Sequence, residues 1–491
     1  MPQPSNHPRR GKACVIGAGP NGLAAAIVLA QAGMEVEVFE AEAEVGGAAR
    51  TLDLTLPGFH HDFGSAVHPM AAASPFFTSL PLADYGLEWI DPPAPLAHPF
   101  DDGTAITLER NLTAAEADLG EDGKAWRALM EPFVSRWPDL IADILGPVLH
   151  LPRHPFLLAR FGLTAMLSAS HVARRRFRTE PARALFGGLA AHSFLALDQP
   201  LSASFGLVLG AAAHAVGWPI PRGGAQSIAN ALAGYLAHLG GRVTTSTRIH
   251  SFSDLPACDL VLCDVAPRQL LALADHPGNH PLPNRLSPGY RRSLAGYRYG
   301  PAAFKVDYAL SRPIPWNAAA CLRAGTVHIG GVLADIEASE AAVAAGLHAE
   351  KPFTLLAQPT LFDPTRAPAG KHIAWAYCHV PNGASESESD AMLDRLESQI
   401  ERFATGFRNC ILARHVSTPA ALEAMDANLI GGDIVGGAVN LRQLLFRPTS
   451  RQYRTSAPDI YLCSASTPPG GGVHGMCGAN AARLALRNLN P

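Results

Sequence analysis

The sequence predicts an α/β fold in which a parallel sheet with helices on both faces is interleaved with a second, α+β unit. Near the N-terminus, residues 13–32 hold a short apolar run, a glycine-rich turn and an alanine-rich stretch in succession. A second glycine-rich turn precedes an alanine-rich stretch near the C-terminus. The chain has 491 residues, more than a single hydrophobic core usually supports, so two or more packed units are expected.

The first predicted strand, residues 13–16, carries no charge, as expected for a central parallel strand buried on both faces. It runs into Gly17, Gly19 and Gly22, which have the spacing G-x-G-x-x-G. In this frame the first glycine permits a tight turn, the second lets the backbone approach a pyrophosphate, and the third lets the helix pack on the strand. The helix N-terminus then offers N–H groups to the phosphates.

Residues 23–32 favour that helix, and residues 35–39 favour a second strand that ends at Glu40. Glu40 is placed to accept hydrogen bonds from a ribose hydroxyl. The complete βαβ frame therefore predicts dinucleotide binding, and the motif alone leaves NAD and FAD as alternatives.

A second glycine pair, Gly46 and Gly47, is followed by Arg50. Nicotinamide-binding domains normally continue here into another βα unit. This short loop instead resembles the G-G-x-x-R stretch of the amine-oxidase and phytoene-desaturase flavoproteins, in which the arginine reaches the FAD phosphates. The resemblance favours FAD over NAD.

The C-terminal turn contains a second G-x-G-x-x-G, formed by Gly470, Gly472 and Gly475, before a predicted helix over residues 476–487. Too little chain follows for another strand and acidic residue, so an independent dinucleotide domain is not expected. A glycine-rich loop that opens a helix still forms an anion site. Directed at the N1–C2 carbonyl edge of a flavin, it would stabilise the reduced cofactor.

Taken together, these motifs resemble the phytoene desaturase branch of the amine-oxidase-like flavoproteins, and within it the carotenoid and retinoid oxidoreductase group. Residues 217–224, 431–437, 447–448 and 464–478 extend the likeness over most of the chain. The resemblance implies a Rossmann-like FAD-binding domain of the glutathione-reductase/amine-oxidase type. It also implies that Ile249 lies on a strand that flanks the adenine. The FAD-binding residues that it implies are Gly17, Gly19, Gly22, Glu40, Gly46, Gly47, Arg50, Ile249, Gly470, Gly471, Gly472, Val473 and Gly475.

The predicted domains are discontinuous. We assign residues 11–75, 215–268 and 425–491 to the FAD-binding domain, and residues 76–214 and 269–424 to the substrate-binding domain. In many relatives an acidic residue of the C-terminal strand–loop region touches the cofactor, whereas this chain has hydroxyl residues over 464–467.

Few catalytic side chains are expected, because a flavin accepts the hydride at its own N5 atom. Lys305 lies in a mostly apolar predicted strand, and in amine oxidases a strand of similar pattern carries a lysine that holds a water near N5. An ion-pairing or solvated lysine is the alternative. His474, in the C-terminal loop, is a second catalytic candidate because histidine titrates near neutral pH.

Composition excludes several classes of protein. A net charge of −3 with 16% charged residues does not provide the broad positive field on which nucleic-acid binders rely. The 8 cysteines lack metal or redox spacing, so no metal site and a reducing, cytoplasmic compartment are expected. Apolar residues beside an arginine cluster in 147–178 suggest peripheral membrane contact, with a buried helix as the alternative.

The sequence thus predicts an FAD-dependent oxidoreductase that takes a hydride from an apolar, carotenoid- or retinoid-like substrate. Two alternatives remain. One is a flavin amine oxidase, and the other is a flavin-binding regulatory protein without turnover, as in the Rab-escort and GDP-dissociation-inhibitor proteins that share the fold. The substrate, the electron acceptor and the oligomeric state are not readable from the sequence.

Overall fold

The computed structural model describes residues 11–147, 151–275 and 286–489. The strands are β1 (Lys12–Ile16), β2 (Glu35–Phe39), β3 (Thr51–Leu52), β4 (His61–Asp62), β5 (Trp89–Ile90), β6 (Ala94–Pro99), β7 (Ala105–Leu108), β8 (Ile220–Pro221), β9 (Arg242–Thr244), β10 (Leu260–Cys263), β11 (Ala302–Leu310), β12 (Ala324–Ile329), β13 (Thr354–Ala357), β14 (His372–Val380), β15 (Ile411–Ser417) and β16 (Ile460–Leu462). The helices are α1 (Pro20–Gln31), α2 (Pro69–Ala72), α3 (Leu112–Asp118), α4 (Gly123–Val134), α5 (Trp137–Ile144), α6 (Pro155–Ala165), α7 (Ala169–Arg176), α8 (Glu180–Ala191), α9 (Ser202–Ala215), α10 (Gln226–His238), α11 (Pro267–Asp275), α12 (Pro288–Ala295), α13 (Leu333–Ala344), α14 (Ser389–Phe403), α15 (Pro419–Met425), α16 (Leu441–Leu445) and α17 (Met476–Leu489).

The first sheet has the strand order β16-β10-β1-β2-β9 and is parallel throughout. Its strands come from three stretches of the chain that are far apart in sequence. The central strand β1 is buried along Ala13–Ile16, which explains why the sequence there is uncharged. The predicted α/β class with a Rossmann-like sheet is confirmed, and β2 has the predicted bounds.

Helices α1 and α17 pack directly on each other, although they lie at opposite ends of the sequence. Gly478 of α17 lies so close to α1 that an added Cβ atom would sit 1.8 Å from the carbonyl oxygen of Asn21. At Gly475 an added Cβ would lie 3.0 Å from the Cβ of Ala24. Only glycine permits this approach, so the two glycine-rich helix starts come together at the carboxyl ends of the parallel strands.

The second sheet has the order β15-β11-β14-β13-β12-β6-β7 and is antiparallel except for the β12–β6 pair. Side chains alternate between its faces. On β11, Phe304, Val306 and Tyr308 enter the core beneath α14, whereas Ala303 and Lys305 face a cleft between the two sheets.

Helices α4 to α9 form a cover beside the second sheet. Within the described ranges no single helix is long and apolar enough to cross a membrane. Helices α6 and α7 together have the length and apolar composition of a membrane span, but the pair is bent by 94°.

One predicted strand position is wrong. Ile249 does not lie on a strand, because β9 ends at Thr244. Ser246 adopts a left-handed conformation with φ 52°, which stops the ladder, and its N–H donates to the carbonyl of Glu42. Ile249 nevertheless lines the cleft, as part of the extended segment that follows β9.

We predict that Gly478→Ala destabilises the fold because its methyl group has no room against the backbone of α1. Overpacking of this kind costs about 1–3 kcal/mol. Gly162→Ala is the matched control, since an added Cβ at this glycine of α6 meets nothing within 4 Å. Removing a helical glycine there should stabilise the chain by about 0.5–1 kcal/mol. Thermal unfolding of both variants measures the difference, and equal midpoints would contradict the packing.

Candidate functional site

A single elongated cleft with a volume of about 620 Å³ runs between the two sheets. At one end, which we call the glycine-loop end, it is lined by Gly17, Gly19 and Glu40. At the other, the apolar end, it is lined by residues of the second sheet and of the helical cover. Ligands of open parallel sheets bind beyond the carboxyl ends of the strands, which is where the glycine-loop end lies.

The first glycine loop has little room for side chains. Gly17 has φ 96°, and an added Cβ at Gly22 would lie 2.0 Å from the carbonyl oxygen of Gly17. Gly19 is the N-cap residue of α1 and offers no side-chain cap of its own. Gly17 and Gly19 line the cleft, whereas Gly22 lies behind them at the contact between helix and strand.

Glu40 holds the loop from the end of β2. Its Oε2 accepts the N–H of Ala18 at 2.7 Å, and its Oε1 accepts the N–H of Glu42 at 3.0 Å. The side chain lines the cleft and is buried. This position beside the loop suits the ribose contact that the sequence predicts.

The second glycine pair lies against the first loop. Gly46 donates its N–H to the carbonyl of Ala18, and Gly47 accepts a hydrogen bond from Nε of Arg50. Arg50 also donates to the carbonyl of Met425 at 2.8 Å and lies 5.3 Å from the ring centroid of Phe63. Arg50 and Gly47 line the cleft, so the arginine provides fixed positive charge there.

Two carboxyl groups at this end, the buried Asp264 and the half-buried Asp426, were missed from the sequence. Asp264 follows β10 directly, and its Oδ2 accepts the N–H of Gly22 at 2.7 Å. Asp426 follows α15 and accepts the N–H of Asn428. Burial raises the pKa of Asp264 to about 8 and also raises the pKa of Asp426. The signal for Asp264 was its place directly after a buried parallel strand.

The C-terminal glycine loop reaches the same cleft through Gly472 and Val473. Ser464 and Ser466, from the stretch with hydroxyls in place of an acidic residue, line it as well. The other three predicted glycines, Gly470, Gly471 and Gly475, support the loop without lining the cleft. Gly471 packs on Val435, where an added Cβ would lie 2.6 Å from the carbonyl oxygen.

His474 points away from the cleft. Its Nδ1 accepts the N–H of Met476 at 3.1 Å, at the start of α17, and its carbonyl accepts the hydroxyl of Ser74. Burial lowers its pKa to about 4, so the ring is neutral at physiological pH. This geometry is that of a helix cap, and nothing in it favours the catalytic role that the sequence suggested.

The apolar end has an aromatic floor. Trp375 and Tyr377 of β14 meet at a ring-centroid distance of 5.0 Å and an interplanar angle of 67°. Leu355 of β13, Leu209 of α9 and Trp218, which lies between α9 and β8, complete its sides. His68 and His192 also line this part, and burial lowers their pKa values to about 4 and about 3, so both rings are neutral.

Lys305 supplies the charge on this floor. It is buried, its Nζ forms an ion pair with Asp307 on the same face of β11, and it lies 5.9 Å from the centroid of Trp375. Beneath them Asp62 pairs with Arg366 at 2.9 Å. Burial lowers the pKa of Lys305 and raises the pKa of Asp307 to about 6. Lys305 therefore forms an ion pair, which is the alternative that the sequence allowed. Because it also lines the cleft, the predicted role of holding a water is compatible with its position.

The parallel sheet and the glycine loops at the carboxyl ends of its strands have the arrangement of a Rossmann-like domain. Residues 15–80 match the family described as NAD(P)-binding Rossmann-like domain. The chain is 29% identical to mouse pyridine nucleotide-disulfide oxidoreductase domain-containing protein 2, over 97% of this chain and 93% of that protein. It is also 28% identical to the lycopene-forming phytoene desaturase of Pseudescherichia vulneris, over 27% of each chain.

Solved structures agree on the fold. An oxidoreductase from Methanosarcina mazei has a TM-score of 0.64 at 16% identity, covering 97% of this chain and 100% of that one. A putrescine oxidase solved with bound putrescine has a TM-score of 0.59 at 16% identity, covering 97% and 98%. The resemblance to the phytoene desaturase and amine-oxidase-like group is thus confirmed.

We predict that Lys305→Met destabilises the chain in a pH-dependent manner. The variant leaves Asp307 buried without its cation, so the pKa of this carboxyl rises further above its unfolded value. Stability is then lost as pH rises through the folded-state pKa. The deficit should approach about 3–5 kcal/mol near about pH 8 and shrink toward about pH 5, where Asp307 is protonated.

Denaturant unfolding at several pH values measures this deficit. The double variant Lys305→Met/Asp307→Asn is the control, because it has no carboxyl at this position to titrate. A deficit that stays constant with pH in Lys305→Met would show that the two groups do not form a coupled ion pair.

Proposed function

We propose that the chain is an FAD-dependent oxidoreductase that takes a hydride from an apolar, polyene- or retinoid-like substrate. The observation that carries the proposal is the shape of the cleft, in which two glycine-rich helix starts share one cavity with an aromatic floor. Its homologue over nearly the full length is named an oxidoreductase domain-containing protein.

The residues at the glycine-loop end suit FAD. The N-cap residue of α1, Gly19, has no side chain, and the first turns of α1 and α17 hold no acidic residue of their own, so Asp264 is the carboxyl that reaches the start of α1. Gly17, Gly19 and Gly472 line the cleft without side chains, so a dinucleotide could approach the backbone there. Glu40 suits the adenosine ribose, Arg50 suits a phosphate, and the segment around Ile249 suits the adenine.

When bound, FAD supplies the hydride acceptor. The residues of the chain bind it, orient it and exclude water from the apolar end. The start of α17 would face the pyrimidine edge of the isoalloxazine, where the helix dipole stabilises negative charge. Lys305 is proposed to hold a water on the floor of the cleft. His474 would fix the loop from behind through its bond to Met476.

The lining of the apolar end favours an uncharged substrate. The carboxyl groups that line the cleft, Glu40, Glu42, Asp264 and Asp426, belong to the glycine-loop end. The ionisable lysine of the floor, Lys305, would repel a protonated amine. An apolar chain needs no charged partner in the cleft. Its burial against aromatic and aliphatic side chains gains about 25 cal/mol per Å² of apolar surface.

Amine oxidation is the second candidate function, and the aromatic pair Trp375 and Tyr377 favours it. The C-terminal loop has no aromatic residue, but this pair on β14 offers an aromatic wall from the other sheet. A neutral amine would fit such a wall, so amines belong in any substrate panel.

A surface on α6 supports delivery of an apolar substrate from a membrane. The helix buries Leu157, Phe161 and Ala165 against the cover, yet Phe156 is 89% exposed and Leu163 is 78% exposed on the opposite face. We call Phe156, Leu163 and the adjoining Leu167 the α6 patch. Apolar side chains that stay in water on one face of a helix indicate an interaction surface.

Charge around the α6 patch favours anionic lipid. Arg160 lies on α6, and Arg175 and Arg176 are exposed at the end of α7. The sequence has no acidic residue from 144 to 179. Helix α6 packs on α9, whose Leu209 lines the apolar end of the cleft. Peripheral docking of this surface on a membrane is therefore proposed, with the apolar end one helix layer away.

The proposed activity predicts that polyenes or retinoids bleach the bound flavin when oxygen is absent. Apoprotein loaded with FAD is mixed anaerobically with a panel of polyenes, retinoids and amines, and the flavin absorbance is followed. The flavin of Lys305→Met should still bleach, but its reoxidation in air should be at least about tenfold slower. Bleaching by amines alone would favour amine oxidation, and no bleaching by any compound would favour a protein without turnover.

The membrane proposal predicts that vesicles containing phosphatidylserine bind the chain more tightly than pure phosphatidylcholine vesicles. Phe156→Ser/Leu163→Ser should weaken binding by about tenfold or more, because two apolar side chains no longer enter the lipid. Leu347→Ser is the control, since Leu347 is 62% exposed outside the α6 patch. Flotation with vesicles measures binding. An equal loss of vesicle binding in the control and in the double variant would contradict docking through the α6 patch.

A further inference from the structure

Asp264 lines the cleft beside the first turn of α1. Its Oδ2 accepts the N–H of Gly22 at 2.7 Å, and an added Cβ at Gly19 would lie 3.0 Å from the same oxygen. The residue lines the cleft, and its Oδ1 has no hydrogen-bond partner within the part of the chain that the structure describes. A carboxyl group therefore shares the helix start with any phosphate that binds there.

The charges around Asp264 are mainly negative. Glu40 at the end of β2 and Asp426 after α15 both raise its pKa. Arg50 and Arg248 are cations that line this end, but both form an ion pair with Glu42, and the guanidinium of Arg50 is also bonded to the carbonyls of Gly47 and Met425. Among the described residues no cation forms an ion pair with Asp264.

The other elements packed on Asp264 contribute neutral groups. Cys263 on β10 and Cys463 after β16 are buried thiols whose pKa values burial raises, so both remain protonated. Asn428 donates its side-chain N–H to the backbone carbonyl of Asp264 and leaves the carboxyl free. Gln269 of α11 is an amide on the cleft wall.

We propose that Asp264 couples binding of the FAD diphosphate to protonation. An ionised Asp264 would add a negative charge beside the two charges of the diphosphate, and it would do so at the start of α1, where it already accepts the N–H of Gly22. A protonated Asp264 has no charge and can donate a hydrogen bond from Oδ1 to a phosphate oxygen. This inference rests on the proposed function, because it assumes that FAD is the ligand.

The sign of the pH dependence follows from the buried carboxyl. Its pKa in the free protein lies near about 8, so the proton is present at neutral pH and is lost as pH rises through that value. The bound diphosphate raises the pKa further, and FAD binding above this pH therefore takes up a proton. FAD affinity should fall as pH rises, by about tenfold between about pH 7 and about pH 9.

The test is titration of the apoprotein with FAD at these two pH values. Quenching of the flavin fluorescence reports binding. The wild type should bind about tenfold more weakly at the higher pH, and Asp264→Asn should change by less than about twofold. Asp259→Asn is the matched control, because this exposed aspartate lies at the other end of β10 and its carboxylate accepts the N–H of Lys12. It should keep the wild-type dependence.

Calorimetry of the wild type in buffers with different heats of ionisation gives a readout that needs no variant. Near about pH 8.5, FAD binding should take up about three quarters of a proton per molecule bound, and none in Asp264→Asn. FAD binding with no pH dependence and no proton uptake in the wild type would overturn the coupling and leave the proposed function standing. Failure to bind FAD at any pH would overturn both.

Discussion

The close approach of α1 and α17 is the constraint on which the rest of the structure depends. At Gly478 the backbones are so near that a methyl group would overlap the carbonyl of Asn21. Each helix begins at a glycine-rich loop, so their contact brings the two loops to one cleft. The parallel sheet fixes where that cleft opens, because its carboxyl ends lie beside both helix starts.

Charge divides the cleft between two tasks. The glycine-loop end concentrates helix dipoles, Arg50 and several carboxyl groups, and so suits the proposed dinucleotide. The apolar end presents Trp375, Tyr377 and aliphatic side chains, with Lys305 held by Asp307 at the floor. A dinucleotide and an apolar substrate can therefore meet in one cavity without competing for the same contacts.

Local signals allowed the sequence to predict much of this fold. The uncharged strand, the glycine spacing and the strand ending at Glu40 are short-range features, and the structure contains them. Long-range features could not be predicted in this way. Asp264 and Asp426 reach the cleft from segments more than 160 residues apart, and no local pattern marks their meeting. The end of β9 depends on the left-handed Ser246, so Ile249 was wrongly placed on a strand, and the orientation of His474 depends on its bond to Met476.

The two ends of the chain are proposed to form one FAD site, and titration of the apoprotein with FAD in two glycine variants distinguishes a shared site from separate ones. Gly22→Ala would press on the carbonyl of Gly17, and Gly472→Ala would strain a residue with φ 127°. We predict that the wild type binds FAD stoichiometrically. Both variants should bind FAD much more weakly, although the substitutions lie at opposite ends of the sequence. Binding that is lost in one variant and unchanged in the other would contradict a shared site.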